Sequence, residues 1–250
     1  MQLERSALLT NPKIPGLYGI RGVMSVFHLL VEGERAWLLD TGMVGEPVLL
    51  RRLMRCLGLG PESIEAIVLT HGHLDHAGNL AELKEWTGAR VYGHPDEQRH
   101  VDGLYPYEGS ARWCGRLEGV GRRAFRYRPA QIEEPIADGD LLPFWGGLRV
   151  VHLPGHTDGH CGFYSEKHDL LFSGDLFASY FFNTHLSPPI FTSRPEQVRH
   201  SLRKALELDP RWMVPNHYDF LDGALHKRRY KDLCRKVFAR RLEMGAEPEG

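Results

Sequence analysis

Apolar residues fall into short runs along the chain, and the spacing inside each run predicts an element. Val23–Val31 and Ala36–Leu39 are β-favouring runs split by Glu32-Gly33-Glu34-Arg35, the pattern of a hairpin, and the second ends in an Asp40-Thr41-Gly42 turn. Glu46–Leu57 sets Val48, Leu49, Leu53 and Leu57 at helical spacing, with Gly58 and Gly60 to stop it. Ile64–Thr70 has the pattern of a short buried strand and runs directly into His71. Asn79–Trp86 reads as helix and Arg90–Tyr92 as strand.

From about 95 to 135 this rhythm breaks. Arg112, Arg116, Arg122, Arg123, Arg126 and Arg128 alternate with Tyr105, Tyr107, Trp113, Phe125 and Tyr127, the pattern of an insertion with some helix over one edge of the domain. Such a mixture can bind an anionic ligand or nucleic acid; the favoured reading is a solvated helix face over a small satellite core. Strands resume at Leu148–Leu153, Cys161–Ser165 and Leu170–Ser173, the last two joined by a turn at Lys167-His168-Asp169. Ser193-x-x-Glu196 has capping-box spacing, with Pro195 in the first turn of a helix to about Leu208. Trp212–Val214 reads as a strand ending at Pro215, and Gly223–Met244 as a basic helix with Leu225, Leu233, Val237 and Phe238 as core contacts. Strand-rich halves that each finish in helices predict two sheets packed face to face, helices outside, in one α+β domain over 1–250.

Composition narrows the function classes. A 42% apolar and 25% charged chain with net charge −1 is ordinary for a globular protein and carries no global field for nucleic acid or an anionic membrane. No run reaches signal-peptide or transmembrane length, and Pro12, Pro15, Glu4, Arg5 and Lys13 interrupt the N-terminal segment. Cys56, Cys114, Cys161 and Cys234 are scattered without Cys-x-x-Cys spacing, which predicts reduced thiols and a cytoplasmic protein.

Fourteen histidines is a high count, and their positions decide what it means. His71-Gly72-His73-Leu74-Asp75-His76 packs three imidazoles and a carboxylate into six residues at the end of a buried strand. Residues i and i+2 leaving a strand point to one side, so His71 and His73 can converge on one ion, while Asp75 and His76 in the next turn can face a second. Neutral imidazole and carboxylate suit zinc, iron or manganese. Three more polar residues follow apolar strands in Gly- or Pro-shaped loops: His156, Asp175 and His217. His28, His100, His168, His200 and His226 have no partner pattern and read as surface or structural. His152, inside a strand, reads as a satisfied core or half-buried histidine, and His160 either orients a ligand or is structural. Asp40 is expected to hold its turn and support a ligand histidine. Tyr180-Phe181-Phe182-Asn183-Thr184-His185 is a candidate pocket wall, with Tyr180 and His185 as substrate contacts.

Thr70-His71-Gly72-His73-Leu74-Asp75-His76-Ala77-Gly78 resembles the signature of the metallo-β-lactamase superfamily. Asp40-Thr41-Gly42, Pro154-Gly155-His156-Thr157, Ser173-Gly174-Asp175 and His217 follow in that family's order, so the likeness runs from about 23 to 220. The resemblance implies a four-layer αββα sandwich with His71, His73 and His156 on one ion, Asp75, His76 and His217 on a second, and Asp175 bridging. It further implies two divalent ions, zinc first with iron or manganese as alternatives, and hydrolysis by a hydroxide held between them, with Asp75 as the catalytic carboxylate. With His76 after Asp75 and no cysteine near Asp175, the chain looks less like a true β-lactamase than like the glyoxalase II, lactonase and phosphodiesterase branches. The interval from His156 to His217 is too short for the inserted domain of the RNA-processing nucleases. Asp158 and Tyr218 replace a proline and a glycine common in the family, which is expected to alter the rim of the site. The expected substrate is a small ester, thioester or lactone. A phosphodiesterase, an iron-dependent oxygenase of the persulfide type and a non-enzymatic binding protein are the alternatives. Oligomeric state is not legible.

Overall fold

The computed structural model describes residues 8–11, 13–104, 107, 111–180 and 182–243; Glu4, Arg5, Pro12, Tyr105, Phe181 and Met244 lie outside them. Seven strands form the first sheet in chain order: β1 (Leu8–Thr10), β2 (Leu17–Arg21), β3 (Val26–Glu32), β4 (Arg35–Leu39), β5 (Ile64–Val68), β6 (Arg90–Gly93) and β7 (Glu134–Pro135). Helices α1 (Pro47–Leu57), α2 (Leu74–Ala77), α3 (Leu80–Thr87), α4 (Gln98–Val101) and α5 (Arg112–Ala124) interrupt them. The second sheet holds β8 (Leu141–Leu142), β9 (Leu148–His152), β10 (Cys161–Ser165), β11 (Leu170–Ser179) and β12 (Thr184–His185), with β13 (Trp212–Tyr218) parallel to β11. Helices α6 (Pro195–Leu208) and α7 (Gly223–Glu243) complete the chain.

Strand alternation builds the layers. Trp37, Leu39, Ala66 and Val68 of the first sheet meet Val150, Phe163, Phe172 and Val214 of the second in one buried core. The alternate residues Leu38, Ile67 and Leu69 pack outward under Leu50 and Leu53 of α1 and Leu80 and Leu83 of α3. On the far side Val151, Leu171 and Met213 pack under Leu202 and Ala205 of α6 and Tyr230 of α7. The fold is the αββα sandwich expected from the sequence, and no described helix is long and apolar enough to cross a membrane.

Several expectations are corrected. The third strand begins at Val26 rather than Val23, which is 86% exposed. The capping box does not form: α6 starts after Arg194 with no side-chain cap, although Pro195 takes the first turn. β11 and β13 run past their apolar stretches, so Asp175 and His217 lie inside strands rather than after them. Register shifts between β11 and β13 at Phe172/Gly174 and Gly174/Ala178 mark a bulge that re-aims Asp175. Gly174 has φ of +54°, and a Cβ there would stand 2.3 Å from His160 Nε2, so both backbone and space require glycine. His28, His100 and His226 are buried, which leaves the structural reading for them.

Candidate metal centre

The edge where the two sheets meet collects the predicted side chains. His71 and His73 follow β5, His76 lies in the one-turn helix α2 after them, His156 follows β9, and Asp175 and His217 come from neighbouring strands. Cys161 N–H of β10 donates to Thr70 O at 2.9 Å and ties the second sheet to the His71 loop.

One cluster consists of three ring nitrogens. His71 Nε2 lies 3.1 Å from His73 Nδ1, and His156 Nε2 lies 3.1 Å from the former and 2.8 Å from the latter. His71 Nδ1–H donates to Thr70 Oγ1 at 3.0 Å, which leaves Nε2 as a bare lone pair. Burial lowers all three imidazoles, His73 to about 3 and His71 and His156 well below the usual histidine value. They are therefore neutral, and each brings one ring nitrogen to the same point.

The second cluster mixes imidazole with carboxylate. His217 Nε2 is 3.0 Å from Asp175 Oδ2 and 3.6 Å from Asp75 Oδ2, while His76 Nε2 is 3.4 Å from Asp75 Oδ2 and 3.5 Å from Asp175 Oδ1. Asp175 Oδ2 also approaches His156 Nε2 at 3.5 Å, so this carboxylate touches both clusters. Burial works against charge on His76 and His217, but the facing carboxylates outweigh it and raise both. Burial likewise opposes ionisation of Asp75 and Asp175, and the neighbouring imidazoles depress both regardless.

Residues around the clusters fix their aim. Asp40, fully buried in the turn after β4 at φ of +61°, accepts from Thr70 N–H (2.7 Å), Thr70 Oγ1–H (2.7 Å), His76 Nδ1–H (3.0 Å) and Asn216 Nδ2 (2.6 Å). It thereby turns His76 Nε2 toward the carboxylates and supports His71 through Thr70, the supporting role expected of it. His160 Nδ1–H donates to Leu153 O, and its Nε2 accepts Asp175 N–H at 2.9 Å, which decides its role in favour of orienting Asp175.

Sequence reasoning misses Glu97. This buried carboxylate accepts Gly72 N–H at 2.7 Å and Gly159 N–H at 2.9 Å, bracing the His71–His73 loop against the His156 loop. It lies in the segment read as an insertion, where nothing in the pattern separates it from a surface acid. Asn216 is equally unmarked, although its neighbour His217 is a candidate ligand. Tyr180 and His185 do line the cavity above the clusters, and Tyr180 Oη reaches His217 Nδ1 at 3.3 Å. Tyr218 does not alter the rim: it is buried, with its hydroxyl 3.1 Å from His28 Nε2. Asp158 pairs with Arg194 Nε at 2.9 Å in an outer groove, away from the cavity. The insertion packs Tyr107, Ala111 and Cys114 with Phe191 as its satellite core, and α5 also roofs the cavity through Cys114, Leu117, Glu118 and Gly121.

The donor atoms fit a metal. At metal–nitrogen bonds of 2.0–2.1 Å, tetrahedral ligand atoms stand about 3.3 Å apart, close to the 2.8–3.6 Å spacings of both clusters. His76 Nε2 and Asp175 Oδ1 are buried and face one another without a well-aligned hydrogen bond, which a cation between them would resolve.

The sequence profile of the metallo-beta-lactamase superfamily matches residues 20–217. The chain belongs to this superfamily. It is 28% identical over 121 residues to the hydroxyacylglutathione hydrolase GloC of Haemophilus influenzae, covering 46% of this chain and 50% of that protein. It is 29% identical over 161 residues to the probable metallo-hydrolase YybB of Bacillus subtilis, covering 64% of each. The matches thus span about half to two thirds of these relatives' length. Among solved structures, a metallo-beta-lactamase family protein from Thermus thermophilus superposes with a TM-score of 0.71 at 27% identity, over 90% of this chain and 80% of that one. A protein crystallised in a di-iron-bound form superposes with a TM-score of 0.61 at 30% identity, over 79% and 89% of the two chains.

Proposed function

We propose that this superfamily member is a binuclear metal-dependent hydrolase acting on a small ester, thioester or lactone. The observation that carries the reading is the pair of donor clusters sharing Asp175 at the floor of one cavity. His71, His73 and His156 would hold one ion, Asp75, His76 and His217 the other, and Asp175 both. When bound, the ions supply a nucleophile at neutral pH by acidifying water and an electrophile for the substrate carbonyl.

The protein groups do the rest. Burial keeps the three imidazoles of the first cluster unprotonated and available as donors. Asp75 is 21% exposed on its side chain and lines the cavity, so its carboxylate can take a proton from the attacking water and hand it to the leaving group. Tyr180 and His185 stand on the cavity wall as hydrogen-bonding groups for substrate. None of the insertion's arginines is among the described residues lining the cavity, which does not favour a phosphodiesterase. Arg122 is buried and donates to Val101 O and Gly72 O, Arg128 pairs with Glu85, Arg116 stacks on Trp113, and Arg112, Arg123 and Arg126 are exposed.

Zinc and iron both suit the ligand set, and the di-iron relative is the specific reason to weigh iron. Metal analysis of the purified protein followed by a panel of thioesters, lactones and bis-nitrophenyl phosphate tests the proposal. About two ions per chain and turnover of a thioester or lactone are expected. Full activity in metal-free protein, or turnover of the phosphodiester alone, sinks it.

A further inference from the structure

The cavity above the clusters has about 380 Å³ of space, enough for a small organic molecule. The proposed metal ligands His73, Asp75, His156, Asp175 and His217 line it together with Tyr180, His185 and Ser187. Met24, Met43, Leu74, Leu117, Phe177 and Phe191 give much of the remaining wall its apolar surface. Beyond the proposed metal ligands, the described lining offers one ionisable carboxylate and no lysine or arginine. That carboxylate, Glu118, is raised by burial and already accepts Leu74 N–H and Tyr107 Oη–H at 2.7 Å each. Arg199 belongs to a separate cavity of about 190 Å³ behind His156 and Asp175. The apolar wall also continues outward. Leu117 and Met24 are 61% and 57% exposed at the rim, and Trp113, Leu117 and Val120 form a stripe at i, i+4, i+7 on the outer face of α5.

We infer that the substrate of the hydrolase proposed above carries an uncharged, apolar acyl chain that lies in this cavity under α5, with its carbonyl at the His/Asp floor. The inference rests on that hydrolase reading for its chemistry and on the cavity wall for its specificity. An acyl group ending in a carboxylate, drawn under α5 away from the His/Asp floor, would lose its water and meet no lysine or arginine among the described lining, whereas each methylene would gain from leaving water. Gly121 is a control point on this wall, because a Cβ on it would meet Leu74 Cδ2, another lining residue, at 3.0 Å.

The test uses metal-loaded protein and acyl thioesters of N-acetylcysteamine from acetyl to octanoyl. Efficiency (kcat/KM) is expected to rise up to about fourfold per added methylene until the cavity is filled. Succinyl-N-acetylcysteamine, whose acyl group ends in a carboxylate, should be at least tenfold poorer than butanoyl-N-acetylcysteamine. Gly121→Leu should cut the octanoyl-to-acetyl ratio at least tenfold, and Leu117→Asp, at an exposed position, should cut it without a packing cost. Calorimetric binding of acetamide through octanamide runs in parallel and needs no turnover. Thioester hydrolysis with a flat chain-length profile, or with preference for the succinyl ester, overturns the acyl inference and leaves the hydrolase standing. Length-dependent amide binding that the variants abolish, without hydrolysis of any ester, does the reverse. Absence of both length dependences overturns the inference outright.

Discussion

The two donor clusters sit side by side but are built on opposite principles. The His71, His73 and His156 cluster is all imidazole, buried, and held neutral by desolvation. The His76, His217, Asp75 and Asp175 cluster is half carboxylate, opens to the cavity through Asp75 and His217, and sets histidine against carboxylate at 3.0–3.6 Å. The first holds no charged group of its own to balance a proton. The second can take up protons on histidines whose affinity the carboxylates raise. Metal removal should therefore be accompanied by proton uptake at the second cluster and not at the first.

The residue common to both gives the largest expected effect. Asp175→Ala should remove both ions and lower turnover by at least about 10³-fold, since it withdraws ligands and charge stabilisation together. Metal content and kcat measured on the same preparation check it; a variant that keeps two ions breaks the shared-carboxylate reading. Next is a paired experiment across the clusters. His217→Ala is expected to leave about one ion per chain, with turnover down on the order of 10²-fold. His73→Ala should lose the other ion instead. If both variants lose both ions, the clusters act as one unit and the contrast between them fails.

Asp40→Asn should act more mildly and through both clusters at once. An amide in place of that carboxylate presents an N–H to one of four donors now bonded to it. His76 would lose its fixed tautomer, and Thr70 its hold on His71. Metal affinity is expected to fall about 10–100-fold, the usual cost of losing an outer partner of a ligating histidine. Competition with a chelator measures it, and an unchanged affinity would show that the His76 ring is aimed by packing alone.

How far these clusters are legible in the sequence depends on how local their parts are. His71, His73, Asp75 and His76 announce themselves because one strand end supplies all four within six residues. His156 is marked by the strand before it. Asp175 and His217 are reached for partly wrong reasons, as the apolar pattern ends before the strands do and the bulge at Gly174 leaves no periodic trace. The sandwich itself follows from alternation, which assigns Ala66 and Val68 to one core and Ile67 and Leu69 to the other. The two- and three-residue strands β1, β7, β8 and β12 are too short to register, and the five-residue β2 has its apolar run broken by Gly19 and closed by Arg21. Asp40 is readable as a turn, but its four donors come from three residues in two distant segments. Glu97 is not readable at all, since only the assembled loops distinguish it from any exposed acid.

Glu97 gives the smallest effect on chemistry and a distinct one on stability, because it braces the loops of the first cluster without facing the ions. Burial raises its carboxyl from 4.5 to about 7, against the donors that favour the charged form. The folded protein then keeps a proton that the unfolded chain has already released between pH 4.5 and about 7. Stability from this group is consequently highest at the acid end of that window and falls as pH rises through it, by about 3 kcal/mol in all. Glu97→Gln resembles the protonated form and cannot titrate. Urea unfolding of metal-free wild type and variant at pH 5 and pH 8 should show the difference moving toward the variant by about 2–3 kcal/mol. Turnover of the metal-loaded variant should change by less than about tenfold, in contrast to every substitution inside the clusters. A pH-independent difference would mean that Glu97 is ionised throughout and that its two backbone donors outweigh its burial.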